Sequence, residues 1–291
     1  DKRSEIRSFF CGIIKSKNGG VNMIQNTIGF IGCGNMAQAM IKSLIESEKI
    51  PAENIRASNR RLPLKNNTIG DLNIKITRDN IEVASQSDYI ILAVKPQIYE
   101  IVLDEIKDYI KKDGVLIGIG AGISSEFLKT HLNQTTKYLK AMPNTPAMVG
   151  QGVTAISPGD RFDKEELDNI IEIFSSFGRV EIVDEKLMDG VTAVSGSSPA
   201  YVFMMIEAMA DAAVLEGIPR QQAYAMAAQT VMGSAKMVLD TGIHPAILKD
   251  NVCSPGGTTI EAVASLEKNG FRTAIIEAMK ECANKSREMS K

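Results

Sequence analysis

Residues 28–37 read Ile-Gly-Phe-Ile-Gly-Cys-Gly-Asn-Met-Ala, and this stretch decides the fold class. A short apolar strand, Ile28–Ile31, leads into a turn of the pattern Gly-x-Gly-x-x-Ala, formed around Gly32, Gly34 and Ala37. Apolar residues at helical spacing follow the turn. The glycines permit a tight turn and the close approach of a pyrophosphate, whose negative charge the amino end of a helix favours. The stretch therefore predicts the first βα turn of a dinucleotide-binding domain.

Short apolar strands alternate with helical segments on the carboxyl side of this turn. We predict strands at 28–31, 55–58, 72–76, 89–94, 115–119 and 138–142, the last of which should complete the series. Helices are predicted at 36–47, at 80–84, at 99–110 and after Ser124. This alternation indicates βαβ units with right-handed connections. The sheet is therefore expected to be parallel and covered on both faces.

The pattern changes near residue 184, beyond which we predict helices at 184–194, 199–216, 219–240 and from 259 onward. Alanine and methionine dominate these helices, and their apolar surface indicates that a second subunit covers part of it. The predicted fold class is thus α/β, with a Rossmann-type doubly wound parallel sheet over 24–184 and an all-helical domain over 185–291. Residues 1–23 are expected to be a leader or a disordered extension.

Composition argues against several other classes of protein. The 33 basic and 35 acidic residues leave a formal net charge of −2, which gives no electrostatic footprint for nucleic acid. Only two histidines are present, so we expect no metal site. The four cysteines are scattered, which is typical of a reducing compartment such as the cytoplasm. No run reaches the roughly 18 apolar residues that a membrane helix needs, so no membrane partner is expected.

The end of the second predicted strand indicates which dinucleotide binds. An Asp or Glu at this point would hydrogen-bond the ribose hydroxyls of NAD. This chain instead has Ser58-Asn59-Arg60-Arg61, and two guanidinium groups with an amide suit a 2′-phosphate. We therefore predict NADPH as the cofactor, with NADH as a weaker alternative. A solvated basic turn is the other interpretation of these residues.

A second glycine-rich loop interrupts the helical sequence near the carboxyl end, where residues 250–259 read Asp-Asn-Val-Cys-Ser-Pro-Gly-Gly-Thr-Thr. Its Pro255-Gly256-Gly257 core can direct successive backbone N–H groups at one point, and the next helix opens directly after it. Such a loop suits a small anion, for example a carboxylate. Helix capping by Ser254 and Thr258 is the alternative interpretation.

Five motifs follow one another along the chain: Gly29-Phe-Ile-Gly-Cys-Gly-Asn-Met-Ala37, Ala93-Val-Lys-Pro-Gln97, Met142-Pro-Asn-Thr-Pro146, Ser195-Gly-Ser-Ser-Pro-Ala-Tyr201 and Lys249-Asp-Asn-Val-Cys-Ser-Pro-Gly-Gly-Thr-Thr259. Together they closely resemble the pyrroline-5-carboxylate reductase family, over roughly residues 24–289. The last motif is far more specific than the first, which many dehydrogenases share. The resemblance implies an oxidoreductase that reduces Δ1-pyrroline-5-carboxylate to L-proline with NADPH.

The resemblance also implies roles for particular residues toward the cofactor. Ile31, Gly32, Cys33, Gly34, Asn35 and Met36 should hold the pyrophosphate, and Asn59, Arg61 and Asn80 should lie on the adenosine side. Ala93, Val94, Lys95 and Pro96 should line the cleft after one strand, as should Gly120 and Ala121 after the next. Lys95 is expected to act through its position rather than as a general acid, because Pro96 follows it.

The substrate is expected at the second loop. By resemblance, Ser254, Gly257 and Thr258 bind its carboxylate, while the hydroxyl of Thr259 contacts the ring nitrogen and is our catalytic candidate. Asn251 and Thr258 are expected near the nicotinamide. Two residues depart from the family pattern: Ser198 replaces a common glycine, and Gly242 replaces a glutamate that some members carry. Neither departure removes a group that the reaction needs.

The sequence leaves two alternative functions open, and the resemblance also predicts an oligomer. A related NADP-dependent imine or β-hydroxyacid reductase would use a lysine of the helical domain as its acid, and Lys236 is the one plausible candidate. A non-catalytic NADP-sensing protein is the other alternative. The resemblance implies a homodimer through the C-terminal helices and leaves a higher oligomer open. In that dimer the loop of one chain is expected to meet the cofactor of its partner.

Overall fold

The structure is a computed structural model and describes residues 24–62, 69–70, 72–159 and 161–289. The expectation for residues 1–23 lies outside the described residues. An eight-stranded sheet occupies the first part of the chain, in the order β3-β2-β1-β4-β5-β6-β7-β8. Its strands are β1 Ile28–Ile31, β2 Ile55–Ser58, β3 Lys75–Thr77, β4 Tyr89–Leu92, β5 Val115–Gly118, β6 Lys137–Met142, β7 Gly152–Pro158 and β8 Gly178–Ile182.

The order of the strands reverses between β1 and β4, which are hydrogen-bonded neighbours in parallel register. In a doubly wound sheet this switch point opens a crevice at the carboxyl ends of the strands, where cofactors bind. All four residues of β1, β4 and β5 are buried, as expected for central strands covered on both faces. The Rossmann-type fold class is therefore confirmed.

Helices cover both faces of the sheet: α1 Asn35–Glu46, α2 Asn80–Gln86, α3 Tyr99–Ile106, α4 Ser125–His131 and α5 Lys164–Ser175. Short polar side chains fix where several of them begin. Asp79 and Ser124 accept hydrogen bonds from backbone N–H groups of the first turns of α2 and α4. Asp163 and Glu166 form a capping box at the start of α5. These caps set the register at which each helix packs against the sheet.

The remainder of the described chain is helical. A short helix α6, Met188–Val191, runs into a π-helical turn, Thr192–Gly196, and then α7, Ser198–Leu215. The later helices are α8 Arg220–Thr241, α9 Pro245–Val252, α10 Thr258–Lys268 and α11 Phe271–Met289. Helices α7 and α8 pack against each other, and the end of α11 packs against the turn after β5, near Gly122.

The prediction that the strand series ends at residue 142 is wrong. Strands β7 and β8 and helix α5 follow, and β7 runs antiparallel to β6, so the sheet is not wholly parallel. Strand β8 reads Gly-Arg-Val-Glu-Ile, and its alternating exposure gives it no continuous apolar run. As an edge strand it is only half-covered, which makes its sequence pattern weak.

Several predicted boundaries also differ from the structure. Strand β3 begins at Lys75 rather than at residue 72, and α3 ends at Ile106 rather than at residue 110. The helix predicted from residue 259 onward is two helices, because Gly270 adopts a left-handed φ of 73° between α10 and α11. Helix α9 was not predicted, although Pro245 at its first position is a recognised start signal.

Candidate cofactor and substrate site

The turn after β1 is shaped by two glycines that play different parts. Gly32 has a φ of 91°, and a Cβ at this position would lie 2.8 Å from the carbonyl oxygen of Ala93. The turn must therefore pass against the end of β4 without a side chain. Around Gly34, by contrast, a Cβ would meet nothing within 4 Å. Gly34 thus faces an open cleft beside the end of the sheet.

The first turn of α1 presents free backbone donors to that cleft. Gly34 is the N-cap, no side chain caps the helix, and the first turn carries no acidic residue. Gly34 and Asn35 are exposed, Met36 is half-buried, and Cys33 is buried. Uncapped N–H groups at a helix N-terminus bind anions, so this end of α1 fits a pyrophosphate. Burial raises the pKa of the Cys33 thiol to about 11, so Cys33 stays neutral there.

The residues after β2 form a connected polar group at one side of the cleft. The Asn59 side chain accepts a hydrogen bond from the Cys33 N–H (3.4 Å) and donates one to the carbonyl of Arg61 (2.7 Å). Arg60 and Arg61 are exposed, and neither forms an ion pair with any described residue. Two guanidinium groups without carboxylate partners remain available for a phosphate.

Asn80 lies at the N-terminus of α2, and both the oxygen and the nitrogen of its side-chain amide are hydrogen-bonded. Its oxygen accepts a hydrogen bond from the Ser58 hydroxyl (2.7 Å), and its nitrogen donates one to a carboxylate oxygen of Glu105 (2.8 Å). Glu105, on α3, was not among the predicted site residues. Only the tertiary approach of α2 and α3 reveals its role in orienting Asn80.

The ends of β4 and β5 form the opposite wall of the cleft. Ala93 and Val94 are half-buried, Lys95 is exposed, and Pro96 begins a short 3₁₀ turn. Gly120 is buried and Ala121 half-buried after β5. The structure thus brings all the predicted cofactor residues except Asn251 to one edge of the sheet, at the switch point.

The second glycine-rich loop joins α9 to α10. Gly256 has a φ of 66°, and the N–H of Gly257 bonds back to the carbonyl of Ser254 (3.1 Å), so the loop is a tight turn. Ser254 and Thr258 are exposed and Thr259 is half-buried. The N-cap of α10 is Gly257, and no side chain caps the helix. Helix capping therefore does not explain Ser254, and the loop keeps hydroxyl and N–H donors free for an anion.

Within one chain the loop and the cofactor cleft remain separate. Across the described parts of the chain, no hydrogen bond or ion pair joins residues 244–268 to residues 24–184. Asn251, which was expected near the nicotinamide, is exposed on α9. The predicted substrate residues therefore lie together on one loop that, among the described residues, makes no polar contact with the cofactor cleft of the same chain.

The long helices of the C-terminal part expose large apolar side chains. Phe203 and Met204 on α7 are 62% and 68% exposed, and Met226 and Met232 on α8 are 58% and 57% exposed. A cavity of about 360 Å³ lies between these helices, lined by Phe203, Met204, Ile206, Glu207 and Tyr224. The helical run Glu185–Leu215 is long and apolar enough to cross a membrane by length and composition alone. An exposed apolar surface of this kind is typical of an interface with a protein partner.

Polar side chains fasten the helical part to the sheet. Asn144, of the Met-Pro-Asn-Thr-Pro motif, donates to the carbonyl of Ser195 in the π-helical turn (3.1 Å) and accepts from the N–H of Val153 (2.9 Å). Within the helical part, the Ser286 hydroxyl of α11 donates to Asp189 of α6 (2.6 Å). Lys140 is buried nearby, and this burial lowers its pKa while Glu185 and Asp189 oppose the shift. In the described ranges, no group of three His, Cys, Asp or Glu residues could hold a metal ion.

Two family models match the chain. A model described as pyrroline-5-carboxylate reductase dimerisation matches residues 185–289, and one described as NADP oxidoreductase, coenzyme F420-dependent, matches residues 27–122.

Similar proteins were found among curated sequences and solved structures. The chain is 49% identical to pyrroline-5-carboxylate reductase of Escherichia coli over 271 residues, which are 92% of this chain and 100% of that protein. It is 42% identical to the Methanosarcina acetivorans enzyme of the same name, at 92% and 100% coverage. The crystal structure of Plasmodium falciparum pyrroline carboxylate reductase with NADP bound superposes with a TM-score of 0.84 at 34% identity, again at 92% and 100% coverage.

Proposed function

The chain belongs to the pyrroline-5-carboxylate reductase family, and on that premise we propose how its residues reduce Δ1-pyrroline-5-carboxylate to L-proline with NADPH. The reduction is the last step of proline biosynthesis and acts on a CH–NH bond. The observation that carries the assignment is 49% identity across the whole length of the Escherichia coli enzyme.

The cofactor cleft takes the pyrophosphate at the first turn of α1. Gly34 faces space that no side chain occupies, and the uncapped N–H groups of α1 point to the same place. These features fit a dinucleotide without rearrangement. Ile31, Gly32 and Cys33 form the approach to the turn, and Asn35 and Met36 continue it.

The 2′-phosphate of NADPH is bound by Arg60 and Arg61. Both side chains are exposed, and neither is engaged with a carboxylate of the described chain. Asn59 and Asn80 sit beside them with amides fixed by hydrogen bonds, so the adenosine side of the cleft is preorganised. A dinucleotide without this phosphate leaves the two guanidinium groups unused, and NADH should therefore bind more weakly.

The loop between α9 and α10 binds the substrate carboxylate. Ser254 supplies a hydroxyl, and Gly257 and Thr258 supply backbone N–H groups at the start of α10. Thr259, one residue further into the helix, places its hydroxyl at the ring nitrogen. Its hydroxyl has no hydrogen-bond partner among the residues that the structure describes, so it is free to orient the substrate.

The reaction demands little acid–base chemistry from the protein. Bound NADPH supplies the hydride. The imine carbon of the substrate accepts it, the electron pair of the C=N bond passes to nitrogen, and the nitrogen carries or receives one proton. Protonation to the iminium makes that carbon a stronger electrophile, so orientation of the ring is the main requirement. Thr259 holds the nitrogen, and Ala93, Val94, Gly120 and Ala121 border the reacting end of the cleft.

The active site is completed between two chains. The members of the family model that matches residues 185–289 dimerise through this region, and the chain is accordingly an oligomer. We place the dimer interface on the exposed apolar faces of α7 and α8. The loop of one chain then meets the cofactor cleft of its partner, which accounts for its lack of polar contact with the cleft of its own chain. Asn251 enters the site in the same way.

A β-hydroxyacid or other imine reductase is supported less well. The lysine that such an activity would use, Lys236, pairs with Asp240 one helical turn away and is 69% exposed at its side chain. A cytoplasmic location accords with the free cysteines Cys33, Cys253 and Cys282.

The assignment is tested by following NADPH oxidation in the purified protein with pyrroline-5-carboxylate, with a six-membered cyclic imine carboxylate, and with NADH in place of NADPH. We expect turnover with pyrroline-5-carboxylate, stoichiometric formation of L-proline, and a lower KM for NADPH than for NADH. Oxidation of NADPH with the larger imine but not with pyrroline-5-carboxylate would overturn the substrate assignment.

A further inference from the structure

A buried tyrosine joins the two strand ends that border the reacting end of the cleft. The hydroxyl of Tyr99 donates a hydrogen bond to the carbonyl of Leu92, the last residue of β4, at 2.6 Å. The same hydroxyl accepts a hydrogen bond from the N–H of Gly120, just beyond β5, at 2.8 Å. The direct backbone bond at this point, from Ile119 to Leu92, is long at 3.5 Å. The tyrosine hydroxyl therefore bridges β4 and β5 at the point where the direct backbone hydrogen bonds between them end.

The residues around Tyr99 leave room for its hydroxyl to reach both strand ends. Its side chain is fully buried, with 0% exposure. Glycines occupy both positions that face the ring: a Cβ at Gly120 would lie 2.9 Å from the Tyr99 hydroxyl oxygen, and one at Gly118 would lie 3.7 Å from the ring. Burial raises the pKa of Tyr99 above its ordinary value, against a smaller opposing effect of the hydrogen bonds from Gly120 and Ile119. The hydroxyl thus remains a donor throughout the pH range of the enzyme.

The rest of the turn after β5 is held by other groups. A Cβ at Gly122 would come within 3.0–3.2 Å of Met289 at the end of α11, and the N–H of Ser125 donates to Glu185 at 2.6 Å. These anchors fix the far side of the turn, whereas the Tyr99 hydroxyl and the long bond from Ile119 to Leu92 hold the side next to β4. Loss of the Tyr99 hydroxyl should therefore loosen the cleft wall locally and leave the fold intact.

We propose that Tyr99 is a positioning residue for hydride transfer, whose hydroxyl holds Ala93 and Gly120 at the separation that the nicotinamide half of NADPH requires. The inference rests on the proposed function, because it takes the ends of β4 and β5 as the wall beside the nicotinamide. Tyr99 touches neither cofactor nor substrate and acts through the two strand ends. The adenosine half of the cleft, around Arg60 and Asn80, lies on the other side of the switch point. Binding of the adenosine half should therefore not change when the Tyr99 hydroxyl is removed.

The test compares Tyr99→Phe with Tyr109→Phe, a matched loss of a hydroxyl from a tyrosine that is 50% exposed on the outer surface. We measure kcat and KM for NADPH, and the Kd values of NADPH and of 2′,5′-ADP, which represents the adenosine half alone. For Tyr99→Phe we expect kcat/KM for NADPH to fall about tenfold, because a displaced cleft wall no longer aligns the nicotinamide with the substrate. The Kd of 2′,5′-ADP should stay within about twofold of wild type, and Tyr109→Phe should match wild type throughout.

Wild-type kcat/KM in a folded Tyr99→Phe protein would overturn the proposal, as would an equal weakening of 2′,5′-ADP and NADPH binding. If Tyr99→Phe does not fold, Tyr99→Met gives the same readouts, because its flexible side chain fills the buried space without a hydroxyl. Failure of the proposed function is distinguishable: the wild-type protein would then not reduce pyrroline-5-carboxylate, while the ratio of the NADPH and 2′,5′-ADP affinities would still report on Tyr99.

Discussion

Gly32 lies directly against Ala93, so that a Cβ on Gly32 would approach the Ala93 carbonyl oxygen to 2.8 Å. This contact joins the first turn of the fold to the end of the neighbouring strand across the switch point. Gly34, two residues later, has open space around it. The two glycines therefore meet different requirements: the fold needs Gly32, and the space for the cofactor needs Gly34.

Alanine substitutions should separate these two requirements. Gly32→Ala forces a side chain into a left-handed φ of 91° and should lower the free energy of unfolding by about 1–3 kcal/mol as well as NADPH affinity. Gly34 has a φ of −80°, which alanine adopts readily, so Gly34→Ala should fold with wild-type stability. It should nevertheless weaken NADPH binding at least about tenfold, or about 1.4 kcal/mol. Denaturant unfolding and fluorescence titration measure the two effects, and wild-type NADPH affinity in Gly34→Ala would contradict the pyrophosphate site.

Arg60→Ala combined with Arg61→Ala should change the preference between the two nicotinamide cofactors. Each guanidinium that binds the 2′-phosphate contributes a charge-assisted bond of about 1.5–3 kcal/mol. Together the two groups contribute about 3 kcal/mol or more, so the KM for NADPH should rise at least about 100-fold, while that for NADH should change little. Arg179→Ala, on the edge strand β8, is the control and should alter neither value. Equal increases for NADPH and NADH in the double variant would refute the phosphate assignment.

Thr259→Ala should act on turnover rather than on cofactor binding. Loss of the hydroxyl that orients the ring nitrogen should lower kcat about 10- to 100-fold, because the bond it makes is most useful in the transition state. The Kd of NADPH should remain unchanged, and Thr259→Ser should recover most of the rate. Stopped-flow and equilibrium titration give both quantities. A wild-type kcat in Thr259→Ala would remove this residue from the mechanism.

Charges placed on the exposed face of α7 should separate the subunits. Phe203→Glu with Met204→Glu buries two carboxylates in the proposed interface, which costs several kcal/mol if they have no partners. We expect a monomer by light scattering that binds NADPH yet turns over negligibly. Tyr109→Glu introduces a charge on the nucleotide-binding part and should leave the oligomer and its activity intact. A fully active monomer would show that the interface is not required for catalysis.

The sequence predicts those parts of the fold that depend on local patterns. The glycine turn, the buried central strands and the hydroxyl-rich loop each carry a signal within about ten residues, and their positions agree with the structure. Strand β8 carries no such signal because it is half-covered at a sheet edge, and the break at Gly270 is one residue in a long helical pattern.

The site residues that sequence reasoning missed are those defined by contacts between distant elements. Tyr99 reads as an ordinary apolar helix position, and only the approach of β5 places Gly120 against its hydroxyl. Glu105 becomes relevant because α2 brings Asn80 to it. A single sequence contains neither contact, since each joins residues more than 20 positions apart whose side chains have no shared local pattern.

A mixed dimer tests directly whether each active site is shared between two chains. One chain carries Gly34→Ala and its differently tagged partner carries Thr259→Ala, so that each homodimer lacks one half of every site. If the loop of one chain serves the cleft of the other, the mixed dimer contains one intact site. At an NADPH concentration well below the wild-type KM, where the Gly34→Ala cleft is mostly empty, it should show about half the wild-type rate per dimer. If each chain forms its own site, the purified mixed dimer will be as inactive as the two parents, and the shared site will be contradicted.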